Sequence, residues 1–170
     1  MERKIKTRTF TGSTDPSEER YEREHGEIAR KAAAEGMVLL KNWGNLLPIA
    51  PGSRLALFGA GASRTVKGGT GSGDVNERKS VSIFQGLKDA GYEITSEEWI
   101  RDFETVYEEK RQEWKAQILK KAENTDFFSA YSTTPFSVPA GPPVVTSNAD
   151  MAVYVLSRVA GEGADRKAED

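Results

Sequence analysis

The chain has no cysteine among its 170 residues, and that absence removes disulfides, thiol nucleophiles and thiolate metal sites at once. Histidine is nearly as scarce. The single one, His25, stands in a run of charged residues and cannot build a Ser-His-Asp triad or a multi-histidine metal centre, so a surface role is expected for it. No apolar run long enough to cross a bilayer is present, and the basic start MERKIKTRTF has no hydrophobic stretch behind it, so neither a signal peptide nor a transmembrane segment is read and a cytoplasmic home is expected. Charge of one sign is also lacking. A net charge of -2 gives no general pull toward nucleic acid or an anionic membrane surface. What is present, 37% hydrophobic and 29% charged residues, is the composition of a soluble globular domain with a real core.

Residues 1–19 are polar and read as an arm, with a partial domain over 20–170. A helix is expected over 18–34, rich in Ala, Glu, Arg and Lys, with Gly36 as its stop. Residues 37–40 read either as an apolar continuation of that helix or as a short strand, and 42–45 as a turn. A strand follows at 54–58, then an amphipathic helix over 82–90 ended by Gly91, and a second strand at 92–95. Thr95 and Glu98 have capping-box spacing and open a long helix to about residue 122, on which Trp99, Phe103, Val106, Tyr107, Trp114 and Ile118 form one apolar stripe. Four prolines mark 124–143 as a long loop. Val153 to Leu156 is an apolar run of the kind found in parallel strands covered on both faces. This order argues for an α/β fold, a three-layer αβα sandwich with a mainly parallel sheet. With so few strands the sheet reads as incomplete, a truncated domain whose exposed edge or apolar face must be covered by further chain or by a second copy in a homodimer.

The chemistry concentrates beyond the last strand. Glu162 lies between Gly161 and Gly163, in a loop past the carboxyl end of a parallel strand, where α/β proteins keep their sites and where flanking glycines free a side chain to be aimed. Alone, such a triplet is usually a solvated turn. The glycine loop KGGTGSGDVN (67–76) lacks the Gly-Lys-Ser/Thr ending of a phosphate loop, and its Asp74 would repel an anion. Gly59-Ala-Gly61 imitates the start of a dinucleotide fingerprint, but Arg64 stands where the third glycine belongs.

Three ordered segments carry a resemblance: AAAEGMVLLKNWGNLLPI (32–49) leading into the strand RLALFG, then KGGTGSGDVN, then VLSRVAGEGADR (155–166). Together they resemble the α/β sandwich domain of glycoside hydrolase family 3, the β-glucosidase family, over residues 24–170, with 96–145 matching loosely. The resemblance implies a retaining β-glycosidase in which an aspartate on a separate (β/α)8 barrel is the nucleophile and the sandwich lends the acid/base, at Glu162 here. It further implies that Lys67, Asp74 and Asn76 border the sugar, that a β-glucoside or related carbohydrate is the substrate, and that no cofactor is needed. Arg158, Asp165 and Arg166 either orient Glu162 or tune its acidity, with Arg158 and Arg166 also expected among the substrate-binding residues, or form an exposed charge cluster. The contrasting reading is a stand-alone Rossmann-like module that binds a nucleotide or sugar without hydrolysing it.

Overall fold

The computed structural model describes residues 17–68, 79–145 and 148–160. They fall into two compact units, Met1–Pro48 and Ile49–Asp170. Most of the polar arm expected over 1–19 lies outside the described residues.

In the first unit, helix α1 spans Arg20–Gly36. The Glu22 carboxylate accepts from the Glu19 N–H at 2.7 Å and satisfies an amide that the helix start leaves open. Exposed pairs at four-residue spacing, Arg20 with Glu24 and Lys31 with Glu35, line a helix that buries none of its residues. His25 is exposed and meets only the edge of Tyr21 at 5.7 Å among ring contacts. Residues 37–40 are neither helix nor strand and are exposed, so both sequence expectations for them fail. The expected turn is present as a single 3-10 turn, Trp43–Asn45, with Gly44 and Asn45 at positive φ. The Asn42 amide brackets it by donating to the Leu47 carbonyl at 2.6 Å and accepting from the Leu47 N–H at 3.0 Å.

The second unit is built on β1 (Arg54–Phe58), α2 (Ile83–Asp89), β2 (Glu93–Ile94), α3 (Glu97–Ala122), α4 (Phe127–Ser132) and β3 (Met151–Tyr154). The strands form an open parallel sheet in the order β2-β1-β3, an α/β sandwich with β1 central. Leu55, Ala56, Leu57 and Phe58 are all buried, because a central parallel strand is covered on both faces. Against them pack Ile94, Trp99, Ile100 and Phe103, with Trp99 edge-on to Phe58 at 5.4 Å and stacked on Phe103 at 5.5 Å.

Three expectations need correction. The capping box of Thr95 and Glu98 does not form: Ser96 is the N-cap residue of α3, and the Thr95 hydroxyl donates to the Leu55 carbonyl at 3.3 Å. The strand's demand for a partner on β1 outcompetes the helix for these hydroxyls. The long loop over 124–143 contains α4, which starts where the Asp126 carboxylate accepts from the Ser129 N–H at 3.0 Å and which buries Ala130. Finally, the run 153–156 is not covered on both faces. Successive side chains of β3 point to opposite faces, and among the described residues only one face is covered: Met151 and Val153 pack on the core, while Tyr154 and, beyond the strand, Leu156 are 66% and 72% exposed.

Candidate functional site

β1 and β3 run in register to Phe58 and Tyr154, and the chain leaving each carries the residues of interest. Past β1, Gly59 takes φ +91 and starts a tight turn in which the Ala62 N–H donates to the Gly59 carbonyl at 3.0 Å. Past β3, Val155 continues the ladder for one residue: its N–H donates to the Phe58 carbonyl at 2.8 Å, and its carbonyl accepts from the Gly61 N–H at 3.4 Å. A shallow cleft of about 180 Å³ opens between these two exits, floored by Trp99 and Phe103 and walled by Gly59, Tyr154 and the chain at 138–141. That wall is fixed. The Trp99 indole N–H donates to the Pro142 carbonyl at 2.9 Å, and Gly141 lies so close to the same ring that a Cβ there would sit 2.5 Å from Cζ2.

The turn after β1 is tied to α3 by charge. The Arg64 guanidinium grips both oxygens of Glu104, reaches Glu108 at 2.8 Å and lies over the Tyr107 ring at 4.6 Å, while the Ser63 hydroxyl donates to Glu104 at 2.6 Å. Partial burial works to lower the Arg64 pKa, but the Glu104 hydrogen bond and the charges of Glu104 and Glu108 outweigh it and hold the cation charged. Sequence reasoning saw Arg64 only as a missing glycine. The signal for its role is Glu104 and Glu108, spaced to share one face of α3.

Of the residues singled out from sequence, Lys67 and Arg158 are described. Both are exposed, one on the segment leaving β1 and the other on the segment leaving β3. Glu162, Asp74, Asn76, Asp165 and Arg166 lie outside the described residues. Ala160, the last described residue, stands two positions before Glu162 in the chain. Among the described residues no group of three or more His, Asp or Glu side chains could hold a metal ion. The dinucleotide reading of Gly59-Ala-Gly61 is not favoured, because in that fingerprint the glycine turn itself opens the helix, whereas here Arg64 stands at the third glycine's place and α2 follows only at Ile83 in the chain. The two glycines instead admit the backbone of β3's exit.

The model of the glycosyl hydrolase family 3 C-terminal domain matches residues 37–170. The beta-glucosidase A of Butyrivibrio fibrisolvens is 34% identical over 147 residues, which covers 84% of this chain and 16% of that protein. The thermostable beta-glucosidase B of Acetivibrio thermocellus is 39% identical over 67 residues, 39% of this chain and 9% of its own length. Among solved structures, beta-glucosidase 3B from Thermotoga neapolitana in complex with glycerol superimposes with a TM-score of 0.57 at 33% identity, over 85% of this chain and 19% of that one. The same enzyme in complex with alpha-D-glucose gives a TM-score of 0.55 at 36% identity. The chain therefore spans a small part, 16%, of the length of the first of these relatives.

Proposed function

We propose that this chain, which belongs to the glycosyl hydrolase family 3 C-terminal domain family, forms part of an enzyme that hydrolyses β-glucosides or related β-linked sugars with retention, and that Glu162 is its general acid/base. The observation that carries this reading is the match over 37–170, a range that includes the glycine loop and the triplet around Glu162. The fold supports it, since β3 is a parallel strand whose carboxyl end leads into that triplet.

Retention requires two carboxyl groups about 5 to 5.5 Å apart. In the proposed reaction an aspartate of a (β/α)8 barrel in the same enzyme attacks the anomeric carbon while Glu162 gives its proton to the glycosidic oxygen, so the C–O bond breaks and the aglycone leaves as a neutral alcohol. Glu162, now a carboxylate, then takes a proton from water. The water oxygen displaces the aspartate, and the free sugar leaves with its original configuration. Lys67, Asp74 and Asn76 border the sugar in this arrangement, and Arg158 and Arg166 orient Glu162.

The test is Glu162→Gln in the full-length enzyme, which keeps the shape of the side chain and removes its proton. Glycosylation by substrates with poor leaving groups should slow about 10²- to 10⁴-fold, the usual worth of general acid catalysis. Aryl glucosides whose leaving group needs little protonation should lose far less in that step. Equal losses on both would move the acid/base assignment to another carboxylate.

A further inference from the structure

We propose that the cleft at the carboxyl ends of β1 and β3 is a preformed binding site for a small uncharged aromatic ring of the phenol class. The inference stands apart from the acid/base reading, since it uses no residue past Ser157. Its first support is topological. The chain winds from β1 to β2 on one side and returns to β3 on the other, so β1 and β3 flank the point where the winding reverses. In open parallel α/β sheets the crevice outside the carboxyl ends of such a strand pair is where ligands bind. The cleft of about 180 Å³ lies there, and Trp99, Phe103, Val138, Tyr154, Leu156 and Ser157 are among the residues that line it.

The lining decides what the cleft can hold. Sites at this position commonly take nucleotides, and they meet the phosphate with a helix N-terminus or a cation. Here α2 starts only at Ile83, Arg64 is committed to Glu104 and Glu108, and no charged side chain is among the described residues that line the cleft. An anion would lose its water there without compensation. A sugar needs several polar side chains to match its hydroxyls, whereas Ser157 and Tyr154 carry the only polar side chains in the described lining. A single aromatic ring suits both the apolar side chains and the size, since an apolar cavity of about 150 Å³ accepts benzene. The Ser157 hydroxyl offers a partner for one ring hydroxyl. The walls are in place before any ligand arrives: the Trp99 indole N–H donates to the Pro142 carbonyl at 2.9 Å, and Val155 is hydrogen-bonded to both Phe58 and Gly61. Little ordering therefore remains to oppose binding.

The test is a titration of the ¹⁵N-labelled chain with 4-fluorophenol, followed on the indole N–H signals of its three tryptophans. Trp43→Phe and Trp114→Phe each delete one signal and so identify that of Trp99. The Trp99 signal should move along a saturable curve with a dissociation constant on the order of 1 mM, the range open to a ligand of about eight heavy atoms, while those of Trp43 and Trp114 stay in place. Phenyl phosphate and methyl β-glucoside should leave all three where they are. Leu156→Ala trims an exposed wall and should weaken phenol binding about 3- to 10-fold. A Trp99 signal that does not move, three signals that move together, or phenyl phosphate or the glucoside binding as tightly as the phenol overturns the inference. The full-length enzyme supplies a second measurement. There the ¹⁹F line of 4-fluorophenol should broaden on binding, and Leu156→Ala should reduce that broadening. Broadening indifferent to Leu156→Ala means that further chain rather than a phenol fills the cleft, and overturns the inference as well.

Discussion

At Ser96 one hydroxyl substitutes for a missing stretch of strand. β2 pairs with β1 over only two residues, so the Leu57 backbone has no partner strand on that side. The Ser96 hydroxyl oxygen accepts from the Leu57 N–H at 2.7 Å and donates to the Leu57 carbonyl at 2.8 Å, in a site where Ser96 is only 5% exposed. Both groups are thereby satisfied out of water. Ser96→Ala would leave a buried amide and carbonyl without partners, and the orphaning of a buried polar group costs about 1–3 kcal/mol. Urea unfolding followed by tryptophan fluorescence should show that loss, and a variant as stable as the parent would mean that water replaces the hydroxyl. This device was hidden in the sequence. Ser96 follows Thr95 and precedes Glu97 and Glu98, a context that reads as helix capping, and only the position of β1 reveals that the strand takes the hydroxyl.

At the scale of elements, the sheet's register is set by a pair of residues at its amino edge. The Asp150 carboxylate accepts from the Arg54 N–H at 2.8 Å and from its guanidinium at 2.9 Å, so β3 starts level with β1. The Arg54 side-chain hydrogen bond, aided by the Arg54 N–H, holds the Asp150 carboxyl below its usual range. A depressed carboxyl contributes stability above its unfolded pKa, and that contribution is lost as pH falls through the folded value. Acidification below about pH 4 should therefore weaken the tie. Asp150→Asn should be less stable than the parent near neutrality, with the gap narrowing in acid; unfolding midpoints at the two pH values check it, and a gap independent of pH would contradict it. Elements were legible where one signal dominated: the apolar run of β1, the spaced aromatics of α3, the amphipathic pattern of α2 ahead of Gly91. α4 was not, because Asp126 caps six residues among prolines with no helical period to expose them. Nor was the half-exposure of β3, since Val153, Tyr154, Val155 and Leu156 are all apolar or aromatic and only the packing of Val153 and Val155 against the core shows which face is covered.

For the whole molecule, the proposed reaction divides two carboxylates between two domains. This chain carries the proposed acid/base and the proposed nucleophile belongs to a barrel, so the purified chain alone should not turn over an aryl β-glucoside. Turnover lost on Glu162→Gln would refute that division. The family was legible because three separated segments kept their order, whereas the need for glycine at 59 and 61 was not, since it comes from the close approach of Val155, which only the fold brings alongside. The most direct test of the central claim is nucleophile rescue of the full-length Glu162→Gln enzyme. With an activated aryl glucoside the glycosyl-enzyme should form and then wait for want of a base, and added azide should relieve the block by attacking the anomeric carbon to give a glycosyl azide of retained β configuration. No acceleration by azide and no β-glycosyl azide, in an enzyme equally slowed on good and poor leaving groups, would contradict the assignment of Glu162 as the acid/base.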